Sequence, residues 1–143
     1  MRLILIRHGH APQDIIDDTR KLSELGREQA KSAGQWLKGQ VHDARKIIHS
    51  PLTRAIETAK IVHEQLSREL PFEENNTIRP ESPITPWVHE AMALEEDTII
   101  VGHMPFLADY ATELAQKFIS FPTGGVVILE RDQNQNWQAT TSF

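Results

Sequence analysis

Short apolar runs alternate with helix-like repeats along this chain. Leu3 to Ile6 is a run of apolar residues typical of a buried strand. A second short run lies within residues 45–49, and a third extends from Thr98 to Val101. Each run is followed further along the chain by apolar residues at helical spacing. Strand–helix alternation of this kind predicts an α/β fold with a mainly parallel sheet.

Capping residues predict where the first two helices begin. Ser23 is expected to cap a helix that runs to about Lys38 and ends at Gly39. Ser50 is expected to cap a second helix, with Pro51 at its first helical position. The apolar residues that share a face in these helices are Ala30, Ala33 and Leu37 in the first, and Leu52, Ala55, Ala59, Val62 and Leu66 in the second.

The second half of the chain contains an irregular stretch and a predicted hairpin. Residues 71–86 hold four prolines and are expected to be irregular, in a position where they cover a site. A short helix is predicted from Thr85 to Leu94. Val126 to Leu129 and Trp137 to Thr140 are predicted to form an antiparallel C-terminal hairpin at the sheet edge. A further helix is predicted after residues 102–105, with one apolar face made of Leu107, Ala111, Leu114 and Phe118.

Composition narrows the class of protein. A length of 143 residues predicts one domain, residues 1–143, with ordinary soluble proportions of 39% hydrophobic and 24% charged residues. The net charge of −5 argues against general affinity for nucleic acid or anionic membranes. The absence of cysteine excludes disulfides, thiolate metal sites and cysteine nucleophiles. No stretch resembles a signal peptide or a membrane span, so a cytoplasmic location is expected.

Polar residues follow each of the three predicted parallel strands. Arg7 and His8 come at the end of the first strand, Arg54 lies in the first helical turn after the second, and His103 follows the third. Because sites in open parallel sheets form beyond the carboxyl ends of the strands, we expect these side chains to meet. Two guanidinium groups at one point favour phosphate, and helix N-termini add further donors.

The two histidines allow more than one interpretation. A lone histidine at a strand end is more often structural, and Arg54 alone is most simply a solvated helix residue. A metal site is the competing interpretation of His8 and His103, but nearby arginines repel a cation and no carboxylate is arranged as a third ligand. We therefore prefer phosphate chemistry without a metal. Neighbouring positive charge is expected to lower the pKa of His8, and neutral imidazole is nucleophilic.

Three motifs in this chain resemble those of the histidine phosphatase superfamily, which includes the phosphoglycerate mutases. The resemblance implies a three-layer αβα sandwich of the phosphoglycerate mutase type and a phosphatase without cofactor. It also implies that His8 is the phosphorylated nucleophile and that Arg7, Arg54 and His103 bind phosphate. In order along the chain, the motifs are Ile6-Arg7-His8-Gly9-His10-Ala11, Ser50-Pro51-Leu52-Thr53-Arg54-Ala55-Ile56-Glu57-Thr58-Ala59 and Val101-Gly102-His103-Met104-Pro105.

The short chain looks most like the small bacterial phosphohistidine phosphatases, which act on histidine-phosphotransfer domains. The segment Leu22-Ser23-Glu24-Leu25-Gly26 carries this resemblance, and it implies that Arg20 also faces the phosphate pocket. The implied partner is a phosphorylated signalling or phosphotransfer protein. Two alternatives remain: a phosphatase for small phosphorylated metabolites, and a phosphoprotein-binding module without turnover.

Several polar residues have no matching role in the motifs. His10 is interpreted as an exposed loop histidine, although relatives often carry an acidic residue there. Glu81 is the only candidate for a general acid. A phosphohistidine substrate has less need of such an acid, because its leaving group is a neutral imidazole. The aspartates Asp14, Asp17 and Asp18 are interpreted as a solvated loop. The residues interpreted as structural are Trp36, Trp87, His42, His49, His63 and His89.

Overall fold

The computed structural model describes residues 1–41 and 43–143, so the predicted structural role of His42 lies outside the described residues. A short 3-10 helix at Asp17–Thr19 precedes the first α-helix. The strands are β1 (Arg2–Arg7), β2 (Lys46–His49), β3 (Phe72–Glu74), β4 (Thr98–Gly102), β5 (Val126–Arg131) and β6 (Trp137–Ser142). The α-helices are α1 (Glu24–Gln40), α2 (Thr53–Leu66), α3 (Thr85–Ala93) and α4 (Phe106–Ala115).

The strands form one sheet in the order β3-β2-β4-β1-β5-β6. Pairing is parallel between β3 and β2, between β2 and β4, and between β4 and β1. Strand β5 runs antiparallel to β1, and β6 pairs antiparallel with β5 at the edge. The predicted mainly parallel sheet with an antiparallel C-terminal hairpin is therefore confirmed.

Helices cover both faces of the sheet. Leu3 and Leu5 of β1 pack in a core that includes buried residues of α3 and α4. Ile4 and Ile6 of the same strand pack in a second core with residues of α1 and α2. A strand buried on both faces needs no polar positions, which explains its unbroken apolar run. The predicted three-layer αβα sandwich is confirmed.

Two predictions in the second half of the chain are wrong. Residues 71–86 are not wholly irregular, because Phe72–Glu74 forms β3. An edge strand with two exposed glutamates has too few apolar residues to be visible as a strand in the sequence. Phe118 does not share the buried face of α4, because the helix ends at Ala115 and Phe118 is 84% exposed.

The helix starts are partly as predicted. The Oγ atom of Ser23 accepts a hydrogen bond from the N–H of Gly26, which confirms the cap of α1. Helix α2 begins at Thr53 and not at Pro51, because Ser50 Oγ instead accepts from the N–H of Leu52 in the turn that precedes the helix. Arg54 still lies in the first turn of α2. Across the described residues, no helix is long and apolar enough to cross a membrane.

Two glycines of α1 occupy opposite environments. Gly34 faces α2, where an added Cβ would lie 2.7 Å from Cβ of Gln65 and 3.2 Å from Cα of Val62. Gly39 lies inside the helix and does not end it, and an added Cβ there meets nothing within 4 Å. Close packing between α1 and α2 therefore requires glycine at only one of these two positions.

We expect opposite effects from replacing these two glycines by alanine. Gly39→Ala should raise the free energy of unfolding by a few tenths to about 1 kcal/mol, because alanine favours helix. Gly34→Ala should lower it by about 1–3 kcal/mol through overpacking. Urea denaturation of the two variants and the wild type checks both values. Equal stability of Gly34→Ala and the wild type would contradict the close contact between α1 and α2.

Candidate active site

The ends of three parallel strands are aligned in register. Arg7 of β1 pairs with Gly102 of β4, and His49 of β2 pairs with Val101 of β4. Because β4 lies between the other two strands, the residues that follow all three ends emerge at one edge of the sheet. This edge is where the sequence placed the candidate site.

Backbone hydrogen bonds continue one residue past these strand ends. The N–H of His8 donates to the carbonyl oxygen of Gly102 at 3.0 Å, and the N–H of Ser50 donates to that of Val101 at 3.1 Å. The ring centroids of His8 and His103 are consequently only 5.0 Å apart. The structure thus brings together the two histidines that the sequence singled out.

The position of the His8 ring determines which of its nitrogens carries the proton. Nδ1 lies 2.6 Å from the carbonyl oxygen of Gly9. A carbonyl oxygen can only accept, so Nδ1 is the donor and Nε2 keeps its lone pair in the neutral ring. Burial lowers the pKa of His8 to about 4, opposed by the Gly9 hydrogen bond and assisted by Arg54, Arg7 and Arg20. The imidazole is therefore neutral at pH 7, and burial contributes more than the arginines on which the sequence argument relied.

Gly9 is held by the second motif and by α1. Its N–H donates to Oγ1 of Thr58 at 3.0 Å, and the Thr58 hydroxyl donates to the carbonyl oxygen of Arg54 at 2.8 Å. A Cβ on Gly9 would overlap the backbone of Gly26, and a Cβ on Gly26 would overlap the backbone of His10. Thr58 was part of the recognised motif but had no role assigned from sequence. The structure gives it one, because it couples the loop after His8 to α2.

Arg7 and Arg54 present buried donors at this edge. Arg54 is 3% exposed, and Nη1 of Arg7 donates to the carbonyl oxygen of Phe121 at 2.8 Å. The Nε atoms of both arginines and Nδ1 of His103 are buried without a hydrogen-bond partner among residues 1–41 and 43–143. Unpaired buried polar atoms are costly and uncommon. Unpaired buried donors of this kind are candidates for binding an anion, whose oxygens are acceptors.

His103 is the more deeply buried of the two histidines. It is 1% exposed, and its Nε2 lies 2.7 Å from Oγ of Ser50. Burial lowers its pKa to about 2, and His8 and Arg54 add to the effect. Ser50, which the sequence suggested only as a helix cap, therefore also orients the His103 ring.

Arg20 lies beside the site and holds the loop that precedes α1. Its Nε donates to the carbonyl oxygen of Pro12 at 2.9 Å, and its Nη2 donates to that of Ala11 at 2.5 Å. Its Nη1 donates to Oδ1 of Asp17 at 2.8 Å. Because Arg20 acts electrostatically on both His8 and His103, it lies near the site; that it faces the phosphate pocket stays a prediction.

Asp17 does more than the sequence suggested. Its side chain is 57% exposed, which agrees with a solvated loop, but its Oδ2 accepts from Nη2 of Arg54 at 3.2 Å. With the Arg20 contact, one carboxylate joins two of the arginines expected to bind phosphate. Asp18, the next residue, instead forms an ion pair with Arg79 at 3.4 Å. The sequence pattern alone does not indicate which of these two adjacent aspartates contacts the arginines of the site.

The residues without a role in the motifs lie around the site. His10 is exposed, as interpreted, and its Nδ1 lies 2.7 Å from Oγ of Ser23, so it joins the loop after His8 to the start of α1. Glu81 is exposed and borders a groove that contains Asp17 and Arg79. Its role as a general acid stays a prediction. His49 and His63 pack against Phe72, in agreement with a structural role.

The competing interpretation of this site is a metal site at His8 and His103. In the part of the chain that the structure describes, no group of three or more His, Cys, Asp or Glu side chains could hold a metal ion. Arg54 and Arg20 act electrostatically on both His8 and His103, and Asp17 acts on His103 as well. A reaction without a metal stays a prediction.

Comparison with known proteins identifies the family. The family model described as histidine phosphatase superfamily (branch 1) matches residues 3–79, which is more than half of the chain. The chain therefore belongs to the histidine phosphatase superfamily. The predicted membership, based on three short motifs, is confirmed.

Two curated relatives differ in how much of their length the chain covers. It is 37% identical over 105 residues to the human serine/threonine-protein phosphatase PGAM5, mitochondrial, in an alignment of 66% of this chain and 35% of that protein. The chain thus spans about a third of the length of this relative. It is 29% identical to the phosphohistidine phosphatase SixA homolog of Haemophilus influenzae, over 95% of this chain and 92% of that protein.

Solved structures share the fold along the whole chain. The structure of the protein histidine phosphatase SixA complexed with tungstate aligns with a TM-score of 0.91 at 23% identity, covering 100% of this chain and 96% of that one. A putative phosphohistidine phosphatase SixA from Agrobacterium tumefaciens aligns with a TM-score of 0.83 at 19% identity, covering 99% and 97%. The phosphoglycerate mutase-like fold predicted from sequence is therefore confirmed.

The two buried histidines should make folding stability depend on pH. Both have a folded-state pKa below the ordinary value of 6.5, so below that pH the unfolded chain binds more protons than the folded one. The free energy of unfolding should therefore fall as pH drops from about 6.5 towards 4, with each histidine contributing up to about 1.4 kcal/mol per pH unit. Urea denaturation at pH 7 and pH 5 measures this slope.

His103→Gln supplies the control for this experiment. Glutamine does not titrate and places an amide near Ser50, so the variant should show a smaller loss of stability between pH 7 and pH 5. An unchanged slope would mean that His103 is not held neutral by burial.

Proposed function

We propose that this protein is a phosphatase that acts through a phosphohistidine intermediate on His8. The observation that carries the proposal is the state of the His8 ring. Its Nδ1 proton is committed to the carbonyl of Gly9, which leaves the Nε2 lone pair available for attack on phosphorus. The unpaired Nε atoms of Arg7 and Arg54 are the donors that the phosphoryl oxygens would use.

In the first step, Nε2 of His8 attacks the phosphorus of the substrate. A P–Nε2 bond forms while the bond from phosphorus to the leaving group breaks, and the leaving group takes the electron pair. Arg7, Arg54 and His103 stabilise the negative charge on the transferring phosphoryl oxygens, with Arg20 as a further contact. The Nδ1–H bond to Gly9 stabilises the positive charge that the ring acquires.

In the second step, water attacks the phosphorus of phosphorylated His8. An O–P bond forms as the P–Nε2 bond breaks, its electron pair returns to the imidazole, and the inorganic phosphate leaves with both protons of the water. Ser50 supports both steps as a positioning residue, since its hydroxyl holds Nε2 of His103 and leaves Nδ1 for a phosphoryl oxygen. No step of this scheme requires a metal or a cofactor.

For the substrate, we propose a phosphohistidine on a bacterial signalling or phosphotransfer protein, in the cytoplasm. When the other ring nitrogen of a phosphohistidine carries a proton, its imidazole leaves in the neutral form and needs little help from an acid. This suits a site whose one candidate acid, Glu81, is an exposed residue at the border of the groove. The similarity to a phosphohistidine phosphatase homolog along nearly the full chain supports the same substrate class.

A competition assay tests the substrate class. Purified protein should hydrolyse a phosphohistidine-containing phosphotransfer domain much faster than sugar phosphates or phosphorylated small metabolites at equal concentration, because the latter require protonation of an alkoxide. His8→Ala should abolish both activities, by at least about a thousandfold, because the nucleophile is lost. The readout is inorganic phosphate released over time.

Two results would overturn parts of the proposal. Faster hydrolysis of small phosphomonoesters would contradict the phosphohistidine substrate and support the metabolite phosphatase. Tight binding of the phosphorylated domain without any release of phosphate would instead support a binding module.

A further inference from the structure

The carboxylate of Asp17 occupies donors of two arginines at the candidate site. Oδ1 accepts from Nη1 of Arg20 at 2.8 Å, and Oδ2 accepts from Nη2 of Arg54 at 3.2 Å. Two oxygens on one central atom, each bound to a different guanidinium group, are also what a phosphoryl group would offer. The hydrogen bond from Arg20, together with Arg54, holds the pKa of Asp17 below its ordinary value, so the carboxylate is charged at neutral pH.

Neither arginine depends on this carboxylate for its position. Arg54 is 3% exposed, and its Nη1 also donates to the backbone carbonyl oxygen of Asp17 at 2.8 Å. Arg20 donates to the backbone carbonyl oxygens of Pro12 and Ala11. Main-chain acceptors already hold both guanidinium groups, so the carboxylate is not needed to orient them. It adds negative charge and occupies one donor of each arginine.

The side chain of Asp17 can leave when another anion takes its place. It is 57% exposed and belongs to a three-residue 3-10 helix with no buried residues, so rotating it into solvent disturbs no packing. The side chains of Arg20 and Arg54 are only 11% and 4% exposed, so both guanidinium groups would lose a charged partner. A phosphoryl group that binds the same donors supplies that partner.

We propose that Asp17 is an internal competitor for the phosphoryl group. In the free protein its carboxylate uses donors of Arg20 and Arg54, and an incoming phosphoryl group takes these donors in its place. The inference rests on the proposed function, because it assumes that the same pocket binds phosphate. Its consequence for catalysis is weaker retention of the product: when phosphate forms, Asp17 returns to the arginines and favours release.

Binding of inorganic phosphate to Asp17→Asn tests this inference without requiring turnover. Isothermal titration calorimetry at neutral pH should show phosphate binding about three- to tenfold more tightly to the variant than to the wild type, because the two ion pairs no longer compete for the arginine donors. The matched control is Asp18→Asn, which removes the same charge from the neighbouring residue. Among the described residues, Asp18 has an ion pair with Arg79 and no hydrogen bond to Arg20 or Arg54, so its replacement removes only a longer-range charge effect on Arg54 and should change phosphate affinity much less.

Each outcome decides between competition and its alternatives. Unchanged binding to Asp17→Asn would overturn the inference, and weaker binding would overturn it and mean that Asp17 orients the arginines. Equal tightening in both variants would also overturn it, in favour of a general charge effect. Phosphate binding to neither the wild type nor Asp17→Asn would contradict the phosphate pocket itself, and with it the proposed function. Asp17→Ser applies the same test if the asparagine variant does not fold.

Discussion

The hydrogen bond between Nδ1 of His8 and the carbonyl oxygen of Gly9 is the interaction on which the chemistry depends. At 2.6 Å from an atom that can only accept, Nδ1 must hold the proton, so Nε2 keeps the lone pair that the proposed nucleophile needs. The fold maintains this contact from several sides. Thr58 binds the N–H of Gly9, and the backbone of Gly26 packs directly on Gly9, so both the second motif and α1 hold the loop after His8 in place.

Burial and charge act together at the edge of the sheet. The parallel strands β1, β2 and β4 deliver polar residues to a place where helices cover both faces, so His8 and His103 are held neutral mainly by burial. The arginines remain charged in the same environment, and some of their donor atoms have no partner among the described residues. A protein with net charge −5 thereby has a local cluster of positive charge, which is where we propose that phosphate binds. Asp17 partly neutralises this site from its solvent side.

Much of this arrangement could be predicted from the sequence. Unbroken apolar runs such as Leu3 to Ile6 indicate strands buried on both faces, and the polar residues after each run indicate where the site lies. The strand Phe72–Glu74 was not predicted, because an edge strand can form with few apolar residues and then shows no apolar run in the sequence. The roles of Asp17 and Ser50 at the site could not be predicted for another reason. Asp17 contacts Arg54 and Ser50 contacts His103, and these partners are distant along the chain and meet only in the folded structure.

The central claim, that Nε2 of His8 is the nucleophile, can be measured directly. The protein is incubated with a phosphohistidine substrate labelled in its phosphoryl group, denatured in alkali, and digested. The position of the label is then determined by mass spectrometry and nitrogen-15 NMR. The account predicts an acid-labile phosphoryl group on Nε2 of His8, absent from His8→Ala. A phosphoryl group on Nδ1, on another residue, or retained in His8→Ala would contradict it.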